Sequence, residues 1–267
     1  TRIVFDYPSV LGTINVLFAA SLSEGCTIIE NVATEPEVIF MIDMLNSMGA
    51  KISGSGSQTL TIQGVQELHG TEVSIIPDRI EAGTMMACIA ATKGKGVVCN
   101  INLNHMVAIV EKFRDAGIEI KEDKVSLEID ASSGFLPVNI QSVPYPGFPT
   151  DLQAPIAVML TQADGLSIVH ERVFDNRLLY INEINNMGAD MKIDKQKIYI
   201  EGPKKLSGTT LKALDVRAGA AAIVAGLIAD GQTVISNINH IDRGYSTIDS
   251  QLKSLGAKIQ RSDSGAQ

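Results

Sequence analysis

Four stretches of this chain repeat one pattern, and that pattern restricts the folds open to it more than any single motif does. They are "SVLGTINVLFAASLSEGCTIIEN", "DRIEAGTMMACIAATKGKGVVCN", "TDLQAPIAVMLTQADGLSIVHE" and "DVRAGAAAIVAGLIADGQTVISN". Each opens on a polar residue suited to cap a helix, Ser9, Asp78, Asp151 or Asp215, and continues as a small, apolar run. Each then reaches a glycine (Gly25, Gly94 with Gly96, Gly165 or Gly231) where a left-handed helix cap belongs, and a β-branched strand follows. A second, amphipathic helix comes next, as in "PEVIFMIDMLNSMGA" or "LLYINEINNMGA", stopping at Gly49, Gly117, Gly188 or Gly256. After it "AKISG", "IEIKE", "ADMKI" or "AKIQR" reads as another strand, with "TLTIQGV" and "KIYIEGP" as further alternating strands.

The starts of the units are 69, 73 and 64 residues apart (78−9, 151−78, 215−151). The first helix of each unit is apolar on nearly all sides, which demands burial, whereas the second keeps a polar face. Helices inside and sheets outside is an inverted arrangement. One unit cannot bury its own central helix, so several units must pack those helices together.

Composition removes several function classes. The net charge is −8 with no Lys- or Arg-rich run, which argues against non-specific nucleic-acid binding, since that needs a basic footprint to displace counterions. A few arginines can still focus positive potential on a small anion inside a cleft. No apolar run reaches the ~18 residues of a membrane helix, and no signal peptide is visible. Three cysteines argue against a disulfide framework and for a reducing compartment, and Cys26, Cys88 and Cys99 all read as small buried apolar residues. His69, His105, His170 and His240 have no metal-ligand spacing, and no Gly-rich phosphate loop or nucleophile elbow occurs. "GSGSQ" at 54–58 reads as a polar hairpin tip.

The helix starts carry the chemistry. "PDRIEAGT" and "LDVRAGAA" place an arginine in the first turn, where a cation opposes the helix dipole. Arg79 and Arg217 therefore need a partner, which is either the preceding aspartate or an anionic ligand held by arginines and helix amides together. Arg177 in "FDNRLL" and Arg243 in "HIDRGY" sit at a second recurring place, the loop after the strand. Asp151, in "YPGFPTDLQAP", is either a cap or a general base. A carboxylate among arginines is a weak base, so the second role requires desolvation by substrate or mere orientation of a hydroxyl.

At this point "SVLGTIN", "ENVATEPEV", "MGAKISGSGSQTLTIQGV", "PDRIEAGT", "FPTDLQAP", "VFDNRLLYINEINNMGA", "LDVRAGAAAIVAG" and "HIDRGY" together resemble the enolpyruvyl transferases, and among them the UDP-N-acetylglucosamine 1-carboxyvinyltransferases. The resemblance runs from about Asp6 to the C-terminus. It implies an α/β (α+β) chain forming an inside-out α/β barrel of the enolpyruvyl transferase type, built from βαβαββ-like units with buried helices. It implies addition of a sugar 3-hydroxyl to phosphoenolpyruvate and loss of phosphate, in the bacterial cytoplasm, with no metal or organic cofactor. The expected partners are UDP-N-acetylglucosamine and phosphoenolpyruvate, with no nucleic acid and no membrane.

The family has six units, so by this resemblance residues 1–77 are the last third of its first domain and 78–267 most of its second. The family's Lys–Asn pair and its fosfomycin-sensitive cysteine loop belong to the two units that would precede Thr1. On that reading this chain by itself is an incomplete, inactive portion, and the apolar helix of residues 9–77 is expected to drive self-association. Residue by residue, Asp151 matches the proton-accepting aspartate. Arg243 matches an arginine on phosphoenolpyruvate, with Asp215 and Arg217 lining the same pocket and Gly244 leaving room for backbone approach. Ser9 and Val10 match a segment on the UDP-sugar diphosphate, and Val173 a residue touching the same nucleotide sugar, with Arg177 just beyond it. The chain departs from the family pattern at Leu11 and Gly12, where Gly-Ala is common and a leucine is expected to crowd the diphosphate. It departs again at Tyr7, where some members carry lysine. The alternatives are the sister 3-phosphoshikimate 1-carboxyvinyltransferases and a non-catalytic truncated paralogue acting as a binding module.

Overall fold

The computed structural model describes residues 1–262. They fall into two compact units, one of Thr1–Pro77 with Pro144–Gly147, the other of Asp78–Val143 with the chain from Phe148 onward.

The first unit holds helices α1 (Val10–Ser21) and α2 (Pro36–Ser47) and strands β1 (Arg2–Val4), β2 (Cys26–Glu30), β3 (Lys51–Ser53) and β4 (Thr59–Gln63). The strands form one sheet in the order β1-β2-β4-β3. β1 runs parallel to β2, whereas β4 lies antiparallel to both β2 and β3, with Ile29 opposite Leu60 and Ile52 opposite Ile62. The alternation of "TLTIQ" turns Leu60 and Ile62 inward, where they meet Leu17, Ile29, Val38 and Ile42. The "GSGSQ" stretch is the tip of the β3–β4 hairpin.

The second unit contains α3 (Arg79–Ala91), α4 (Leu103–Asp115), α5 (Gln153–Leu160), α6 (Tyr180–Asn186), α7 (Val216–Ile228), α8 (Asn239–Asp242) and α9 (Ile248–Ser254). Its strands are β5 (Lys95–Cys99), β6 (Glu119–Asp123), β7 (Ser126–Asp130), β8 (Asn139–Ser142), β9 (Gly165–Glu171), β10 (Asp190–Asp194), β11 (Lys197–Gly202), β12 (Thr210–Lys212) and β13 (Val234–Ser236). They make three sheets, β5-β7-β6, β10-β11-β9-β8 and β12-β13. α3, α5 and α7 pack on one another at the centre. Every residue of α5 is buried, as is Ala218–Ala225 of α7. The inverted arrangement is therefore realised: apolar helices inside, sheets and amphipathic helices outside. α4 shows the outer type, burying Met106, Ile109, Val110 and Phe113 on one stripe.

β8 and β12, which precede buried helices, each pair in parallel with the strand that follows the helix, β9 and β13, as β1 does with β2. Among the described residues β5 lacks such a neighbour, because residues 69–78 ahead of α3 form no strand.

Three expectations need correction. Gly94 does not take the left-handed cap of α3; Lys93 does, with φ +51°, and the glycine follows one residue later. Cys26 and Cys99 are exposed, Cys99 because it shares the outward phase of Lys95 and Val97; only Cys88 is buried, and burial pushes its thiol up to about 12. "AKIQR" is not a strand, because a short edge strand exists only through a ladder partner and no described strand pairs with it. α1 agrees with the exposed apolar helix expected of residues 9–77, being covered on one side only: Leu11 is 72% and Phe18 44% exposed.

Candidate functional site

The end of β9 organises the polar centre of the second unit. Along Gly165–Glu171 the inward positions are Ser167, Val169 and Glu171, so alternation buries a glutamate at the strand end, 1% exposed. Buried carboxylates need donors. Glu171 Oε1 accepts from the amides of Val173 (2.8 Å) and Phe174 (3.3 Å), which fixes the turn after the strand. Its Oε2 accepts from the Thr150 hydroxyl at 2.7 Å, which ties that turn to the segment ahead of α5.

Asp151 lies in that segment, inside a 3-10 turn of Thr150–Leu152. It caps nothing: α5 begins after Leu152 with no side-chain cap. An arginine takes its carboxylate instead. Arg177 Nη1 donates to Asp151 Oδ1 at 2.8 Å and to Thr150 Oγ1 at 2.9 Å, while its guanidinium stacks 3.9 Å from the centroid of the Phe174 ring. From the other side Arg217 Nε approaches Asp151 Oδ1 at 4.0 Å.

Asp215 behaves as its position suggests. Oδ1 caps α7 through the amide of Ala218 (2.9 Å), and Oδ2 pairs with Arg217 Nη2. The partner that offsets a cation in the first turn of α7 is thus the preceding aspartate. Burial, and after it the nearby Arg177 charge, pull the Arg217 guanidinium below its usual range, with Asp215 and Asp151 acting in the opposite sense. Beneath the group, Gln153 Nε2 donates to the Tyr180 hydroxyl at 2.7 Å, and burial pushes that phenol far up.

Asp151, Arg177, Asp215 and Arg217 are therefore brought together, with Val173 on the loop that carries Arg177. Arg243 follows α8 in the same unit. Gly244 beside it is pressed against α7: a Cβ there would lie 2.6 Å from Val216 Cγ1, so helix packing claims the space this glycine leaves. The Arg243 side chain is exposed and forms no ion pair among the described residues. Its flanking residues are structural. Asp242 is held by Arg261 at 2.7 and 3.0 Å, and Tyr245 hydrogen-bonds Thr84 at 2.9 Å, with burial pushing its phenol up to about 12. Ser9 and Val10 belong to the first unit, where Ser9 caps α1 through the amide of Gly12 (3.1 Å) and Val10 leans on the core. Leu11 points outward and does not crowd that cap.

Pattern reading missed Glu171, Thr150, Phe174 and Gln153. A signal for the first existed: in "GLSIVHE" the glutamate is in phase with Val169 on the buried face. A cavity of about 650 Å³ lies elsewhere, between α3, β5 and α9, lined by apolar residues such as Met85, Ile89 and Leu252 together with the polar Asp78, Glu81 and Gln251. Among the described residues no cluster of His, Cys, Asp and Glu could hold a metal, and no helix is long and apolar enough to cross a membrane.

Fold and site define a class: inside-out α/β proteins in which arginines and aspartates gather at the starts of buried helices. A family model described as EPSP synthase (3-phosphoshikimate 1-carboxyvinyltransferase) matches residues 1–261, and the chain belongs to that family. UDP-N-acetylglucosamine 1-carboxyvinyltransferase 2 of Carboxydothermus hydrogenoformans is 46% identical over 263 residues, 98% of this chain and 63% of that one. The UDP-N-acetylglucosamine 1-carboxyvinyltransferase of Halothermothrix orenii is 46% identical over 260 residues, 97% of this chain and 62% of that one. The chain thus spans about 63% of the length of such relatives. Among solved structures, the enolpyruvyl transferase NikO from Streptomyces tendae superposes with a TM-score of 0.86 at 24% identity, covering 97% of this chain and 64% of its own. EPSP synthase from Acinetobacter baumannii gives 0.75 at 17% identity, over 98% and 63%. Both show the same fold.

Proposed function

We propose that this chain supplies part of the active site of an enolpyruvyl transferase that acts on UDP-N-acetylglucosamine. The observation that carries the reading is Asp151 held between Arg177 and Arg217, in a chain 46% identical to relatives bearing that enzyme's name. In this scheme the sugar 3-hydroxyl oxygen bonds to C2 of phosphoenolpyruvate, its proton passes to Asp151, and a general acid protonates C3. The C2–O bond to phosphate then breaks, C3 gives up a proton, and inorganic phosphate leaves. Arg217 and Arg243 hold the anionic groups, and Asp215 fixes Arg217. Of these three arginines, Arg177 and Arg217 are paired with carboxylates, whereas Arg243 forms no ion pair among the described residues. Ser9, Val10 and Val173 contact the nucleotide sugar. This role belongs to the first committed step of peptidoglycan synthesis in the bacterial cytoplasm.

The test is phosphate release from phosphoenolpyruvate by the full-length gene product, with UDP-N-acetylglucosamine or with shikimate 3-phosphate as acceptor. Release with the nucleotide sugar, cut about 10²- to 10⁴-fold by Asp151→Asn, is the expected result. Release with shikimate 3-phosphate alone assigns the sister activity that the family description names, and release with neither acceptor sinks the reading.

A further inference from the structure

We propose that Glu171 is a positioning residue that sets Arg177 against Asp151 by fixing the direction of a hydrogen-bond relay through Thr150. Three facts carry this. Glu171 is buried, and all three donors that reach it come from the two segments carrying the charged pair: the amides of Val173 and Phe174 on the Arg177 loop, and the Thr150 hydroxyl next to Asp151. The same Thr150 oxygen accepts from Arg177 Nη1 at 2.9 Å. And Nη1 is also the atom that reaches Asp151 Oδ1.

A carboxylate only accepts, and a hydroxyl has one proton. With Glu171 taking that proton at 2.7 Å, Thr150 can turn only lone pairs toward Arg177. The relay therefore runs from Arg177 to Thr150 to Glu171, charge-assisted at both ends. The Phe174 ring closes the guanidinium from its face. Arg177 is thereby held on Asp151 while Nε and Nη2, which bond no described residue, stay available. Glutamine in place of Glu171 reverses the direction. Its oxygen must face the two amides, so its NH₂ faces Thr150 and donates; the hydroxyl proton then loses its acceptor, and the bond from Arg177 keeps neither its fixed direction nor its charge-assisted continuation.

The kinetic consequence rests on the enolpyruvyl-transfer reading above, whereas the relay itself does not, so two measurements separate them. Arginine-selective ¹⁵N NMR of this chain should show Arg177 side-chain N–H groups slow to exchange in the wild type and in Thr150→Ser, and fast in Glu171→Gln and Thr150→Val. Thr150→Val leaves the amide bonds of Glu171 intact, so it reports on the relay even where Glu171→Gln folds poorly. In the full-length enzyme, Glu171→Gln and Thr150→Val should each lower kcat about 10- to 100-fold. The double variant should be no worse than the poorer single, and Thr150→Ser should stay near wild type. Unchanged Arg177 exchange in both disruptive variants overturns the relay. Changed exchange with kcat within twofold, or with multiplying losses in the double variant, overturns the positioning role. A wild type with no activity on either acceptor rejects the function reading, and the exchange measurement still decides the relay.

Discussion

α1 and α5 open corresponding units of the repeat and share its apolar composition, yet they end in different surroundings. Every residue of α5 is buried, between α3 and α7. α1 buries Thr13, Leu17, Ala20 and Ser21 against its own sheet and α2, and turns Leu11 and Phe18 outward. All-round apolarity therefore states a requirement for sister helices; it does not state that they are present. The second unit meets the requirement with three mutually packed helices, whereas no described helix lies along the outer stripe of α1 in the first.

The largest expected effect tests whether this difference is energetic. Leu160→Ala at the end of α5, fully buried in the helix cluster, should cost about 2–5 kcal/mol, because the surrounding helices cannot collapse onto the cavity. Leu11→Ala in α1 should change stability by no more than about 0.5 kcal/mol. Denaturant unfolding of both variants measures the contrast, and equal losses would dissolve it. A smaller effect sharpens it through glycine. A Cβ on Gly83 of α3 would sit 2.3 Å from Cδ1 of the fully buried Leu152, so Gly83→Ala should destabilise by about 1–3 kcal/mol. On Gly12 of α1 the nearest atom is the exposed Ser9 Oγ at 3.0 Å. There the gain in helix propensity and the disturbed cap oppose each other, so Gly12→Ala should move stability by less than about 1 kcal/mol. Thermal melts of the two alanine variants rank them.

What sequence patterning revealed follows the same divide between local and tertiary causes. The second helices stop where glycine is required. Gly49 and Gly188 have φ of +102° and +106°, and the residue after each bonds back into the last turn (Ala50 to Leu45, Ala189 to Ile184), a purely local device. The caps at Ser9, Asp78 and Asp215 are local too and were legible. Asp151 looked like a fourth cap and is not one, because Arg177, 26 residues away, takes its carboxylate. The pairing of Arg217 with Asp215 was one of two readings open at the start of α7; nothing in the spacing alone decided it. Glu171 was overlooked because a glutamate at a strand end is ordinarily solvated. Only the closing of the Thr150 segment over β9 makes it the acceptor for two loops.

A double change with little effect on stability carries the largest consequence for association. Leu11 and Phe18 of α1 and its C-cap residue Leu22 recur at spacings of seven and four, so they share one stripe, with Leu22 55% exposed. Contiguous apolar surface on an otherwise charged chain recruits a partner. Self-association is therefore expected, as a rise in mean mass with concentration in light scattering. Leu11→Ser combined with Phe18→Ser removes the helical part of the stripe without touching Leu17 or the β2–β4 core, so unfolding should shift by about 1 kcal/mol at most. The rise in mass should vanish. A wild type that stays monomeric at high concentration would show that a half-covered helix of this composition can stand in water. In that case the repeat's demand for sister helices would be weaker in the first unit than the burial of α5 suggests for the second.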